Sequence, residues 1–153
     1  MRFTELTMLI REAKEQDIDA IFKVRIAVRE NILTYEQLAE RGITPDSVLK
    51  MLQTDCKAWV VTDEDAVVGF SLADRTEREI LALFVLPEYE GRGLGSQLLD
   101  KAMEWLLNVG RETIWLRTGP GTDAYAFYIK RGWREVGSAP HDNVVLEYQQ
   151  QAK

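Results

Sequence analysis

The stretch Glu90-Gly91-Arg92-Gly93-Leu94-Gly95 sets three glycines at alternate positions between an apolar run and a long amphipathic segment. Such a pattern can bind an anion. Ile80 to Leu86 is short, apolar and rich in branched and aromatic residues, so it reads as a buried strand stopped by Pro87. From there Leu94, Leu98, Ala102, Trp105, Leu106 and Val109 recur at three and four residues, which predicts one face of a helix ending near Gly110. The N–H groups that open a helix have no intrahelical partner, and with the helix dipole they attract phosphate. Glycine at Gly91, Gly93 and Gly95 lets the backbone approach an anion with no Cβ in the way. Arg92 can add a charge-assisted hydrogen bond worth about 1.5–3 kcal/mol.

Spacing separates the phosphate motifs that compete for this stretch. A P-loop needs Gly-Lys-Ser or Gly-Lys-Thr where the chain has Gly95-Ser96-Gln97. A dinucleotide fingerprint needs a third glycine where Ser96 stands, and an acid at the end of the next strand, whereas Glu112 precedes it. A nucleotide-binding regulatory domain is therefore the weakest of the anion readings, and a plain glycine-rich turn is the bland alternative. Nucleophilic chemistry has little to work with. Cys56 abuts a strand without a glycine elbow or helix start to lower its pKa, and His141 in Pro140-His141-Asp142-Asn143 reads as a turn residue.

The elements that must carry the glycine turn follow from period and punctuation. A chain of 153 residues, 46% hydrophobic and 29% charged, has the size and composition of one soluble globular domain. A net charge of −6 argues against nucleic acid or an anionic membrane as partner and mildly favours cationic small molecules or peptides. One cysteine and one histidine are too few for an intramolecular disulfide or an ordinary structural zinc site, so no metal is expected. With no run of 18 apolar residues and no signal-peptide core at the start, a reducing cytoplasm is the default expectation. Met1 to Thr7 reads as a loose end before a strand at Met8 to Ala13. Asp17 to Arg29 has helical spacing, with Ile18, Ile21, Phe22 and Ile26 toward a core. Thr34 with Gln37 forms a capping-box pattern for a short helix that Gly42 ends, and Thr44-Pro45 opens another to about Gln53. Lys57 to Thr62 and Ala66 to Asp74 are strands joined by Asp63-Glu64-Asp65. After the glycine turn and its helix come a strand at Thr113 to Thr118, the turn Gly119-Pro120-Gly121, and a helix capped by Thr122 that runs to about Arg131 before Gly132. Trp133 to Val136 and Val144 to Tyr148 read as a final antiparallel pair, joined by a loop over Gly137 to Asn143. This order is that of an α+β sheet with mixed strand directions.

The order also resembles that of the GNAT superfamily of N-acetyltransferases, on two local patterns. Glu90 to Gly95 resembles the coenzyme A loop of that superfamily, Gln or Arg, two residues, Gly, any residue, Gly or Ala, with Glu90 in the Gln/Arg place. Ala124, Phe127, Tyr128, Gly132 and Trp133 resemble its C-terminal signature, with Gly121 where an asparagine is usual. The resemblance covers Leu9 to Tyr148 and implies one GNAT domain with an acyl-CoA N-acyltransferase fold, a mixed, mostly antiparallel central sheet flanked by helices. It implies acetyl-CoA as donor, a small-molecule or peptide amine as acceptor, and direct attack in a ternary complex without metal. Coenzyme contacts then fall on Leu83, Phe84 and Val85 of the central strand, on Gly91, Arg92, Gly93, Leu94, Gly95 and Ser96 of the loop, and on Ala124 and Phe127. Lys130 and Arg131 are candidates for the 3′-phosphate. Tyr128 is the implied acid, because a tyrosine stays protonated at neutral pH and can protonate a departing thiolate, with Tyr125 in reserve. Glu79 is the implied base for the amine proton; Asp74, Glu77 and His141 are substitutes, and a charged strand end is the bland reading. Arg25, Arg29, Glu30, Asn31 and Tyr35 are placed at the acceptor, with a solvated helix face as their alternative. Glu90 is expected to point away from the phosphates or to make only an N-terminal helix contact. A non-catalytic acyl-CoA-binding module of the same fold is the rival function, and monomer and homodimer both stay open.

Overall fold

The computed structural model describes residues 8–110 and 112–149, so the expectation for Met1 to Thr7 lies outside the described residues. The chain runs β1 (Met8–Glu12), α1 (Ile18–Ile26), α2 (Tyr35–Glu40), α3 (Pro45–Gln53), β2 (Cys56–Asp63), β3 (Ala66–Asp74), β4 (Glu79–Val85), α4 (Leu94–Val109), β5 (Ile114–Thr118), α5 (Asp123–Lys130), β6 (Arg134–Ala139) and β7 (Asn143–Tyr148). The seven strands form one sheet in the order β1-β2-β3-β4-β5-β7-β6. Every neighbouring pair is antiparallel except β4 with β5. This is the expected α+β architecture.

Local chemistry explains most boundaries. Thr34 Oγ1 accepts from Gln37 N–H while Gln37 returns its carbonyl to Thr34 N–H, and Thr44 with Ser47 repeats that exchange ahead of α3. Glu64 and Asp65, at φ +50° and +74°, form the two-residue hairpin turn between β2 and β3, a geometry whose twist suits the flanking strands. Leu94, Leu98, Leu99, Ala102 and Leu106 bury one stripe of α4 against the sheet, although Val109, placed on that stripe by spacing, is 51% exposed. Gly110 is extended rather than left-handed, at φ 172°. Arg78 serves that helix end instead, donating to the carbonyls of Leu106, Gly110 and Glu112.

Two expected boundaries move. α1 ends at Ile26, so Arg29 lies beyond the helix and not one turn from Arg25 along it. Arg25 itself fixes this exit, stacking on the Phe84 ring at 4.3 Å and donating from Nη1 to the Asn31 carbonyl at 3.0 Å. β6 continues through Ser138 and Ala139, which pair with Val144 and Asn143, leaving only residues 140–142 as loop. Pairing with β7 overrides the weak strand preference of Gly137 to Ala139.

The sheet is covered on both faces. α4 packs against β2, β3 and β4 on one face, with Trp59, Val61, Ile80, Leu98, Ala102 and Leu106 in a shared core. α1 and α3 cover the other face through Ile21, Val24, Val60 and Phe70, and through contacts with β2. Ser71 Oγ is fully buried and donates to the Leu98 carbonyl at 3.0 Å, tying β3 to α4. Among the described residues no helix is long and apolar enough to cross a membrane.

Candidate functional site

A bulge in β4 starts the site. Leu72 pairs with Ala82 and Ala73 with Ile80, so Leu81 is an extra residue on β4 with no partner on β3. An extra residue bends a strand and reverses which face its residues take. Ile80 and Leu83 therefore both lie on the α4 side, while Ala82 and Phe84 lie on the α1 side. β4 and β5 pair only at Glu79 with Trp115 and Ile80 with Leu116, and then part. A cleft of about 650 Å³ occupies the split, walled by residues 80–85 of β4, by Leu116, Arg117 and Thr118 of β5, and by the starts of α4 and α5.

The glycine turn forms one end of this cleft. Gly93 is the N-cap of α4 at φ +80°, with no side chain capping the helix, and Gly91 is at φ +79°. A Cβ at either position would meet no atom within 4 Å, so the space before the uncapped N–H groups is open and fits a bulky anion such as a coenzyme pyrophosphate. Gly95 differs, because a Cβ there would sit 3.8 Å from the Phe127 ring, an ordinary contact. Arg131 stacks on Phe127 at 3.6 Å and donates to Ser96 Oγ, adding a cation to the cleft wall.

Leu83, Phe84, Val85, Gly91, Gly93, Leu94, Gly95, Ser96, Ala124 and Phe127 all line the cleft. Arg92 does not; its guanidinium lies over the Tyr89 ring at 4.8 Å. Arg29, Glu30 and Asn31 line it, whereas Arg25 is consumed by Phe84 and Asn31, and Tyr35 stacks on Phe22 with ring centroids 6.0 Å apart. Burial pushes Arg25 down to about 10, with the Arg41 charge adding to the effect. Glu90 lines the cleft and pairs with Arg29 at 2.5 Å.

Tyr128 also lines the cleft, only 6% exposed, between the rings of Phe127 and Trp133. Burial raises its pKa well above the ordinary phenol value, so the hydroxyl holds its proton. Tyr125, the reserve acid, is committed to Glu135 at 2.8 Å. Glu79 is absent from the cleft lining. Next to Ile80 on the strand, it takes the opposite face, where its carboxylate meets Arg117 Nε at 3.5 Å. Burial raises the Glu79 pKa, Arg117 opposes that rise, and Asp74 and Glu77 add to it. Cys56 is buried and pushed up to about 12 by desolvation, then by Asp74 and Asp55, which leaves it inert as a nucleophile.

Sequence reasoning missed Arg117 and Asn143. Arg117 alternates with buried Leu116 on β5, a signal that was present. Asn143, expected in the loop, opens β7 and lines the cleft, its Oδ1 3.9 Å from the position a Cβ on Gly119 would take. A carboxamide absent at Gly121 is thus present from another element.

The model of the acetyltransferase (GNAT) family matches residues 25–133. An N-acetyltransferase of Archaeoglobus fulgidus, itself uncharacterised, is 31% identical over 142 residues, which is 86% of this chain and 96% of that protein. A Haemophilus influenzae N-acetyltransferase acting on an alanine of a ribosomal protein is 30% identical over 76 residues, 48% of this chain and 52% of its own. Among solved structures, an N-acetyltransferase from Thermoplasma acidophilum in complex with coenzyme A has a TM-score of 0.80 at 18% identity, covering 94% of this chain and 99% of that one, a likeness of fold.

Proposed function

The chain belongs to the acetyltransferase (GNAT) family, and from that premise we propose that it moves the acetyl group of acetyl-CoA to a primary amine by direct attack in a ternary complex. The observation that carries this reading is the parting of β4 from β5 directly beside an uncapped, glycine-opened helix start. An acyl thioester supplies the activated carbonyl; the chain supplies seats and protons. The N–H groups opening α4 seat the pyrophosphate, and Arg131 stands ready for a further phosphate oxygen. Backbone groups of Leu83, Phe84 and Val85 on the cleft edge of β4 hold the extended arm and polarise the carbonyl, as a strand edge left without a neighbour can do. Asn143 adds an amide to the same wall.

Tyr128 Oη donates to the departing sulfur. A free tyrosine near 10 is a weaker acid than a thiol near 8.5, but the apolar surroundings that raise Tyr128 raise a thiol beside it as well, so the gap and not either value sets the cost of transfer. Glu79 accepts the amine proton through water, its basicity raised by burial and its link to the cleft made by Arg117. The Haemophilus relative's ribosomal-protein alanine supports a peptide amine as acceptor. A binding module without turnover is the second reading, favoured by Glu90 at the mouth of the cleft and by Glu79 outside its lining. Release of free thiol from acetyl-CoA against a panel of peptide α-amines, lysine side chains and small amines tests the two. Thiol release that depends on one class of amine is expected; coenzyme binding without release across the panel favours the module.

A further inference from the structure

The segment after α1 crosses to the cleft, and its two charged residues reach both walls. Arg29 Nη2 lies 2.5 Å from Glu90 Oε1, beside the glycine turn, and 3.5 Å from Asp123 Oδ2. Glu30 Oε1 and Oε2 accept from the Asp123 N–H, the first of α5, at 3.0 and 3.1 Å. Arg25 fixes the far end of the segment through the Asn31 carbonyl. Glu90 carries the same sign of charge as any phosphate seated on α4, and Arg29 is the cation that offsets it. With 54% of its side chain exposed, Arg29 can exchange one oxyanion for another without crossing a buried barrier.

We propose that Arg29 and Glu30 form a strap across the mouth of the cleft, and that Glu90 is the carboxylate Arg29 leaves for the pyrophosphate, so that coenzyme occupancy and the position of the acceptor-side loop are linked. This rests on the acetyltransfer reading above. Arg29 and Glu90 act as positioning residues: a single guanidinium is shared between a protein carboxylate and a ligand phosphate, and whichever holds it sets where the loop sits. The linkage has a sign. Removing the Glu90 charge frees Arg29 for the phosphate while it loosens the strap, so coenzyme affinity and loop order move in opposite directions. An ion pair with a purely structural role would lower both together.

Amide hydrogen exchange over residues 28–31 in the ligand-free protein and calorimetric titration with coenzyme A, on the parent, Glu90→Gln and Arg29→Ala, test the strap. Glu90→Gln is expected to bind coenzyme A about 2- to 10-fold more tightly, to exchange faster at 28–31, and to raise the acceptor KM more than it changes kcat. Arg29→Ala is expected to exchange faster at the same amides and to bind coenzyme A about 10-fold more weakly. A parent that binds coenzyme A while Glu90→Gln weakens it, or leaves exchange at 28–31 unchanged, overturns the strap alone. A parent that does not bind coenzyme A overturns the acetyltransfer reading and the linkage with it.

Discussion

Two helix starts open on the same cleft, and they are built in opposite ways. α4 begins at a left-handed glycine with no side chain capping it. α5 begins with its N–H groups engaged: Thr122 Oγ1 accepts from Tyr125 N–H at 3.1 Å, and the Glu30 carboxylate accepts from Asp123 N–H. A helix start whose donors are satisfied by the protein needs nothing more, whereas one left uncapped beside a cleft is available to an anion. The lesson is a division of labour. On the proposed function, α4 serves through its backbone and so needs glycine, while α5 serves through a side chain, Tyr128, and its start only has to be stable.

Substitutions on the two helices should therefore fail differently. Tyr128→Phe keeps the ring between Phe127 and Trp133 and removes only the hydroxyl, so coenzyme affinity and stability should hold while kcat falls about 10²- to 10⁴-fold. Steady-state kinetics beside a coenzyme titration checks this, and parent-like turnover would return the tyrosine to packing. Gly93→Val should show the reverse pattern. It imposes a branched side chain at φ +80° and sets it over the open anion seat, so coenzyme affinity should drop about 10- to 100-fold, read by calorimetry on a variant shown to be folded by circular dichroism.

Glu79→Gln probes the strand between the helices. Burial raises the Glu79 carboxyl above the usual value near 4.3, so its basic form, and the acid limb of kcat/KM in the parent, should appear at a higher pH than an exposed glutamate would give. The variant should lose that limb and about tenfold in rate near pH 7, a defect that eases as pH rises toward the acceptor's own pKa and more amine is already neutral. A parent-shaped pH profile in Glu79→Gln would assign the base elsewhere. Thr122→Ala should give the smallest effect, about 1 kcal/mol less stability by denaturant titration with coenzyme affinity little changed. Loss of coenzyme binding in that variant would erase the contrast between the two helix starts.

Short-range chemistry is what can be read along the chain. The caps at Thr34, Thr44 and Thr122, the apolar period of α4 and the glycines before it are local signals, and each element they mark stands close to where spacing put it. The open helix start beside the cleft was legible for that reason: one strand, one turn and one helix start, contiguous in the chain, compose it. Tertiary structure decided which residues reach the cleft from a distance. Glu79 sits where β4 still pairs with β5, before the strands part, and so meets Arg117 and not the cleft. Arg25 packs on Phe84 and does not line the cleft, and α1 ends before Arg29. Glu90 met its counter-ion 61 residues away, and Glu30 found a helix start 93 residues away. Pairing over such separations leaves no local pattern to read, because the energy that selects it comes from a sheet and a core that exist only once the chain has folded.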